Sequence, residues 1–106
     1  MKSLSFFANS GAHDYELGEI QVDYAASTIL LHLKNTAGES CTVCIENFKS
    51  VSITHTEKWG AGKYIYASEL KRDAATGNVT LELLLNSGDE VVIVFTPKKE
   101  LNFYEN

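Results

Sequence analysis

The sequence predicts an all-β fold, an antiparallel β-sandwich or barrel of about eight strands, on three observations. Apolar residues recur at every second position through most of the chain, the period of a half-buried strand. No stretch offers a long amphipathic helix for a βαβ crossover, so neighbouring strands pair antiparallel. Six residues also repeat fifty positions on without a gap: Glu19/Glu69, Asp23/Asp73, Ala25/Ala75, Leu31/Leu81, Leu33/Leu83 and Gly38/Gly88. Ile20 answers Leu70, Ile29 answers Val79 and Glu39 answers Asp89 around them. One three-stranded meander used twice, over 19–48 and 69–95, accounts for this spacing and predicts pseudo-twofold symmetry, with shared β composition as the plainer explanation.

In chain order, Ser3 to Phe7 reads as a short edge strand ended by Asn9-Ser10-Gly11. Glu19 to Tyr24 puts Ile20, Val22 and Tyr24 on one face and the wet row Glu19, Gln21 and Asp23 on the other. Thr28 to Lys34 sends Ile29, Leu31 and Leu33 inward and Leu30, His32 and Lys34 outward, before the turn Asn35-Thr36-Ala37-Gly38. A strand from Cys41 to Phe48, interrupted briefly at Asn47 to Lys49, continues through Val51 and Ile53 to His55. Thr56 to Gly62 is the least core-like interior stretch, and its Trp59-Gly60-Ala61-Gly62 is expected to cross from one sheet to the other. Lys63 to Arg72 alternates as a strand, although Ala67 to Thr76, closed by Gly77, also fits a short helix. Val79, Leu81, Leu83 and Leu85 form the next inward row, Asn86-Ser87-Gly88-Asp89 reverses the chain, and Glu90 to Thr96 is the last strong strand before Pro97 stops it. Leu101, Phe103 and Tyr104 supply a final short edge or a docked tail.

At 106 residues the chain reads as a single domain, 1–106, able to bury roughly 60 to 65% of its unfolded surface. Hydrophobic content of 44% and charged content of 22% belong to a globular chain, neither disordered nor fibrous. The apolar runs are far too short to span a bilayer, and Asn9, Ser10 and Gly11 interrupt the N-terminal patch before a signal core develops, so a cytoplasmic location is expected. A net charge of −5 repels phosphate backbones, which argues against nucleic acid and for a basic protein partner. Exposed β edges at Ser3 to Phe7 or Leu101 to Tyr104 offer a route to a homodimer.

Catalytic chemistry is sparse. Cys41 and Cys44 lie three apart on one strand and so point to opposite faces, which makes them free thiols rather than metal ligands or a redox pair. His13-Asp14 lacks the further histidines and aspartates of a phosphohydrolase site, and a metal site would need His13, His32 and His55 drawn from three separate elements. No GxSxG elbow is present, and Gly60-Ala61-Gly62-Lys63 lacks the Ser or Thr and the following helix of a P-loop. No cofactor and no metal is expected. Trp59, on a glycine-flexed loop with Tyr64 and Tyr66 close behind, has the composition of an interface anchor. The opposing expectation, and the favoured one, is that its ring folds back to plug one end of the sandwich.

The run His13-Asp14, Glu19-Ile20, Ile29-Leu30-Leu31-His32-Leu33, Phe48 with Val51, and Trp59-Gly60 resembles small, mostly uncharacterised all-β bacterial proteins, some of them grouped with immunity proteins of polymorphic toxin systems. It covers roughly the first two thirds of the chain. The resemblance implies a non-enzymatic protein that neutralises a toxin by binding it, and an acidic surface suits a basic nuclease toxin. The leading expectation is thus a small cytosolic binding module, with Trp59, Tyr64, Tyr66, His13 and Asp14 as candidate contacts. The alternatives are a sandwich or barrel enclosing a small apolar or aromatic ligand, and a metal-dependent hydrolase using His13 and Asp14.

Overall fold

Alternation of aliphatic and polar residues builds seven antiparallel strands in two sheets among the described residues of the computed structural model, 4–98. The first sheet holds β1 (Glu16–Asp23), β2 (Thr28–Lys34) and β3 (Ser40–Glu46) in the order β1-β2-β3. The second holds β4 (Phe48–Ile53), β5 (Ile65–Arg72), β6 (Val79–Leu85) and β7 (Glu90–Phe95) in the order β4-β7-β6-β5. The sheets stack as a sandwich and do not close into a barrel. No helix among the described residues is long and apolar enough to cross a membrane.

The inward rows are the ones the period dictates. Ile29, Leu31 and Leu33 of β2, Val43 and Ile45 of β3, Val79, Leu81 and Leu83 of β6, and Val91, Ile93 and Phe95 of β7 are all buried in one cluster. Each such side chain contributes about 1.5–3 kcal/mol on leaving water.

The fifty-residue spacing extends to strand register. Ile29 faces Ile45, Leu31 faces Val43 and Leu33 faces Cys41 in the first sheet; Val79 faces Phe95, Leu81 faces Ile93 and Leu83 faces Val91 in the second. Ile20 opposite Leu31 is likewise matched by Leu70 opposite Leu81. The hairpin turns agree bond for bond: the Asn35 amide donates to the Glu39 carbonyl at 2.9 Å and the Leu85 amide to the Asp89 carbonyl at 2.8 Å. Gly38 and Gly88 close those turns at φ +83° and +89°, the left-handed conformation that glycine adopts without strain.

Three expectations are corrected. Leu4–Ser10 is a 3₁₀ segment rather than an edge strand, while Ser3 lies outside the described residues. Phe7 is fully buried and stacks against Phe6, whose ring meets Tyr15, and Asn9 and Ser10 then turn the chain at positive φ. The buried Ser68 hydroxyl of β5 donates to the Phe7 carbonyl at 2.7 Å and accepts the Ala12 amide at 3.3 Å, so the segment packs on β5 and leaves no strand edge there for a dimer. Second, the stretch from Cys41 to His55 is two strands in different sheets: Asn47, at φ 63°, alone separates β3 from β4 and makes the crossing. Third, the Trp59 connection consequently joins β4 to β5, the two outer strands of one sheet. Of the two readings open for 67–76 the strand holds and no helix forms: β5 runs to Arg72, and the Asp73 carboxylate then accepts the Ala75 amide at 2.9 Å, as Asp23 accepts Ala26 at 3.1 Å.

β1 also begins earlier than its alternation indicates. A bulge between Leu17 and Ile20 adds one residue, which returns both side chains to the inner face although their spacing is odd. Leu101 to Tyr104 lies outside the described residues.

Candidate functional site

The connection from Thr54 to Tyr64 runs as a strap across the end of the second sheet, over the β6–β7 turn. What fixes it is Asp89, the last residue of that turn, only 2% exposed. One carboxylate oxygen accepts the Thr56 amide at 2.6 Å and the Thr54 and Thr56 hydroxyls at 3.0 and 3.2 Å; the other accepts the Glu57 amide at 3.0 Å and the Ser87 hydroxyl at 2.9 Å. These donors, the Thr56 amide foremost, hold the Asp89 carboxyl well below the usual carboxylate range against the burial that opposes them. The loop is thereby ordered before any ligand arrives.

Trp59 rides on this support. Its amide donates to the Ser87 carbonyl at 3.0 Å, and its ring lies over Gly88, so close that a Cβ added there would stand 3.1 Å from Cδ2. The ring is nevertheless 69% exposed, so it caps the outside of the turn and does not plug the sandwich. Gly88→Val is expected to lift the ring from its seat, lowering the fluorescence anisotropy of the chain's single tryptophan, at a backbone cost of about 1–3 kcal/mol for a side chain at positive φ. Unchanged anisotropy in a folded variant would show that the glycine does not hold the indole.

Tyr64 ends the strap on the same turn. Its amide donates to Asn86 Oδ1 at 3.2 Å and its carbonyl accepts the Asn86 amide at 2.9 Å, while the ring stays half exposed. Tyr66 belongs to another corner: its exposed ring meets His13 edge-on at 6.0 Å, and His13 Nδ1 lies 3.3 Å from Asp14 Oδ2. The five candidate residues thus fall into two groups, Trp59 with Tyr64 on the strap and Tyr66 with His13 and Asp14 beside the start of β5.

Two hollows adjoin the strap. A groove of about 450 Å³ on its outer side is lined by His55, Glu57, Gly62, Tyr64 and Asn86. A cleft of about 400 Å³ on its inner side lies against β1, with Leu17, Ile20, Ile53, Leu85 and Val91 among its walls. The three histidines stand on separate elements with separate neighbours: His32 Nε2 is 2.6 Å from Gln21 Oε1, and His55 Nδ1 is 3.9 Å from Glu57. Among the described residues no group of three or more His, Cys, Asp or Glu gathers as a metal site. Cys41 sits in the inward row with Val43 and Ile45, and Cys44 in the outward one, so the thiols diverge.

The chain matches no protein-family model, no curated protein and no solved structure. The residue that sequence reasoning missed is Asp89. Its signal was faint: it falls in register with Glu39, whose side chain instead accepts from Asn35 Nδ2 in the exposed first-sheet turn.

Proposed function

We propose that this protein is a non-enzymatic binding module that holds a basic protein partner on the strap 54–64, with Trp59 as its anchor. The observation that carries the reading is the combination of a widely exposed indole with a backbone already fixed to Ser87 and, through Asp89, to the core. An aromatic anchor on a rigid loop brings a large contact area at little ordering cost. The net charge of −5 favours a cationic partner and speeds its encounter. The resemblance of the His13-Asp14 to Trp59-Gly60 region to immunity proteins gives the proposal its most concrete form, the neutralisation of a toxin.

Wild-type and Trp59→Ala baits, exposed at physiological ionic strength to extract of the cell of origin, provide the test. A basic protein held stoichiometrically by the wild type and bound at least about 30-fold more weakly by Trp59→Ala is the expected result. The variant should melt close to the wild type because its lost ring is largely solvated. Recovery of the bait alone would overturn the proposal.

A further inference from the structure

We infer that the cleft between β1 and the strap receives an extended segment of the partner, added to the free edge of β1, with apolar side chains turned into the cleft and lysines or arginines turned out. The inference rests on the reading of the strap as a partner-binding element and names the chemistry of what binds beside it.

β1 is an outer strand of the first sheet, and the strap pairs only with its beginning. The Leu17 amide donates to the Lys63 carbonyl at 2.8 Å, and Glu16 bridges to Tyr64. Beyond that point the bulge between Leu17 and Ile20 bends β1, as bulges do, and the strap parts from it. From Gly18 to Val22 the backbone has no partner on its outer side among the described residues. Of the devices that guard natural edges, Gly18 to Asp23 has the bulge and the acidic Glu19 and Asp23 but no lysine or proline, so the edge turns away other acidic strands and stays open to a cationic one.

The cleft beside this edge is apolar where a core would be. Leu17, Ile20, Leu85 and Val91 belong to core-facing rows, and Ile53 of β4, although its row faces the core, remains 51% exposed at the mouth. On another flank the sandwich is closed, because the 3₁₀ segment packs on β5 and β3 and buries Phe7 there. Nothing of this chain among the described residues performs that service beside β1. The space of about 400 Å³ holds one or two aliphatic side chains of an added strand, whose alternate residues point into it.

Charge selects the segment. Glu16, Glu19 and Asp23 lie along β1 and Glu57 on the strap. Of the nearby lysines, Lys63 is engaged by Glu16 at 3.4 Å, leaving Lys58 next to Trp59. The rim is therefore net acidic, and a cationic segment complements it.

The experiment uses the whole chain and two capped peptides of equal length, one alternating lysine with valine and the other glutamate with valine, read by amide hydrogen exchange. The lysine peptide should slow exchange of the outer amides between Gly18 and Val22 at least about tenfold, and the glutamate peptide should not. Ile53→Lys, placed at the half-exposed mouth, should abolish that protection, and Ile53→Val, which keeps the wall apolar, should retain it; circular dichroism confirms that each variant is folded. No protection by millimolar lysine peptide overturns the inference, as does saturable binding of indole or octanoate to the cleft without any effect of the peptide on β1. Should partner capture depend on Trp59 but survive Ile53→Lys, the cleft assignment falls while the strap reading stands. If capture is absent from the wild type but the lysine peptide still protects β1, the edge site stands and the strap reading falls.

Discussion

Asp89→Ala is expected to lower the melting temperature by on the order of 10 °C, the largest loss from any polar substitution in this chain. Removing the carboxylate leaves five donors without their acceptor: the amides of Thr56 and Glu57 and the hydroxyls of Thr54, Thr56 and Ser87. The buried Ser87 hydroxyl has no water to replace the carboxylate and so costs most, while the donors of the exposed Thr54, Thr56 and Glu57 lose the one group that ties the strap to the turn. Asp89→Asn should lose slightly less, since it keeps one acceptor oxygen but turns an NH₂ group toward donors. The effect should also be local: amides from Thr54 to Trp59 should exchange at the rate of an open loop while those of β2 and β6 keep their protection. The pH dependence follows from the same geometry. A carboxyl held below its ordinary range in the folded state stabilises the fold fully at pH values above the unfolded carboxylate range, about 4. That contribution declines as pH falls below this range toward the folded-state value. Wild-type stability should therefore drop in acid more steeply than that of Asp89→Asn, and parallel acid unfolding curves for the two proteins would show that Asp89 is not the staple.

The same residue shows where the sequence is legible and where it is not. Strand periodicity identifies β2 and β6, where Ile29-Leu31-Leu33 stand against His32 and Lys34 and Val79-Leu81-Leu83 against Thr80 and Glu82, whereas β7 is legible as a continuous apolar run bounded by a turn and Pro97. It fails at β1, where the bulge shifts the period by one and hides Leu17, and at the N-terminus, where Leu4, Phe6 and Phe7 satisfy an edge-strand pattern but are drawn onto β5 by Ser68. Asn47 was readable in principle as a residue that tolerates left-handed backbone, yet a single turn residue between two β-rich stretches does not say which sheet each joins. Trp59 stood out as an aromatic among glycines, but whether its ring faced inward or outward depended on Gly88, twenty-nine residues away. Asp89 carried least signal of all, because an aspartate after a turn glycine is ordinary until Thr54, Thr56 and Glu57 are brought to it by a connection that the alternation assigned to a sheet crossing.

Leu31→Ala and Leu81→Ala should each cost about 3–4 kcal/mol, a fall of roughly 15 °C or more in melting temperature, and should do so about equally. Both side chains are fully buried at the centre of the middle strand of a meander, Leu31 between Ile20 and Val43 and Leu81 between Leu70 and Ile93. The cost has two parts, the transfer of the lost methyl groups and the cavity left where close packing prevents collapse. The outward equivalents provide the contrast: Leu30→Ala and Thr80→Ala, on the other face of the same strands, should each cost less than about 1 kcal/mol. Matching losses at the inward pair would mean that the fifty-residue spacing repeats an energetic role as well as a register. A fold that tolerates Leu31→Ala but not Leu81→Ala would reduce that spacing to composition. Position still separates the two in one respect. Leu81 lies on β6, which ends at the turn carrying Ser87, Gly88 and Asp89, so its truncation should also speed exchange of the strap amides, whereas Leu31→Ala should leave them protected. Thermal melts with exchange rates for Thr56 and Glu57 check both halves, and strap exchange that responds alike to the two truncations would show that the loop is held by the sandwich as a whole and not by its own sheet.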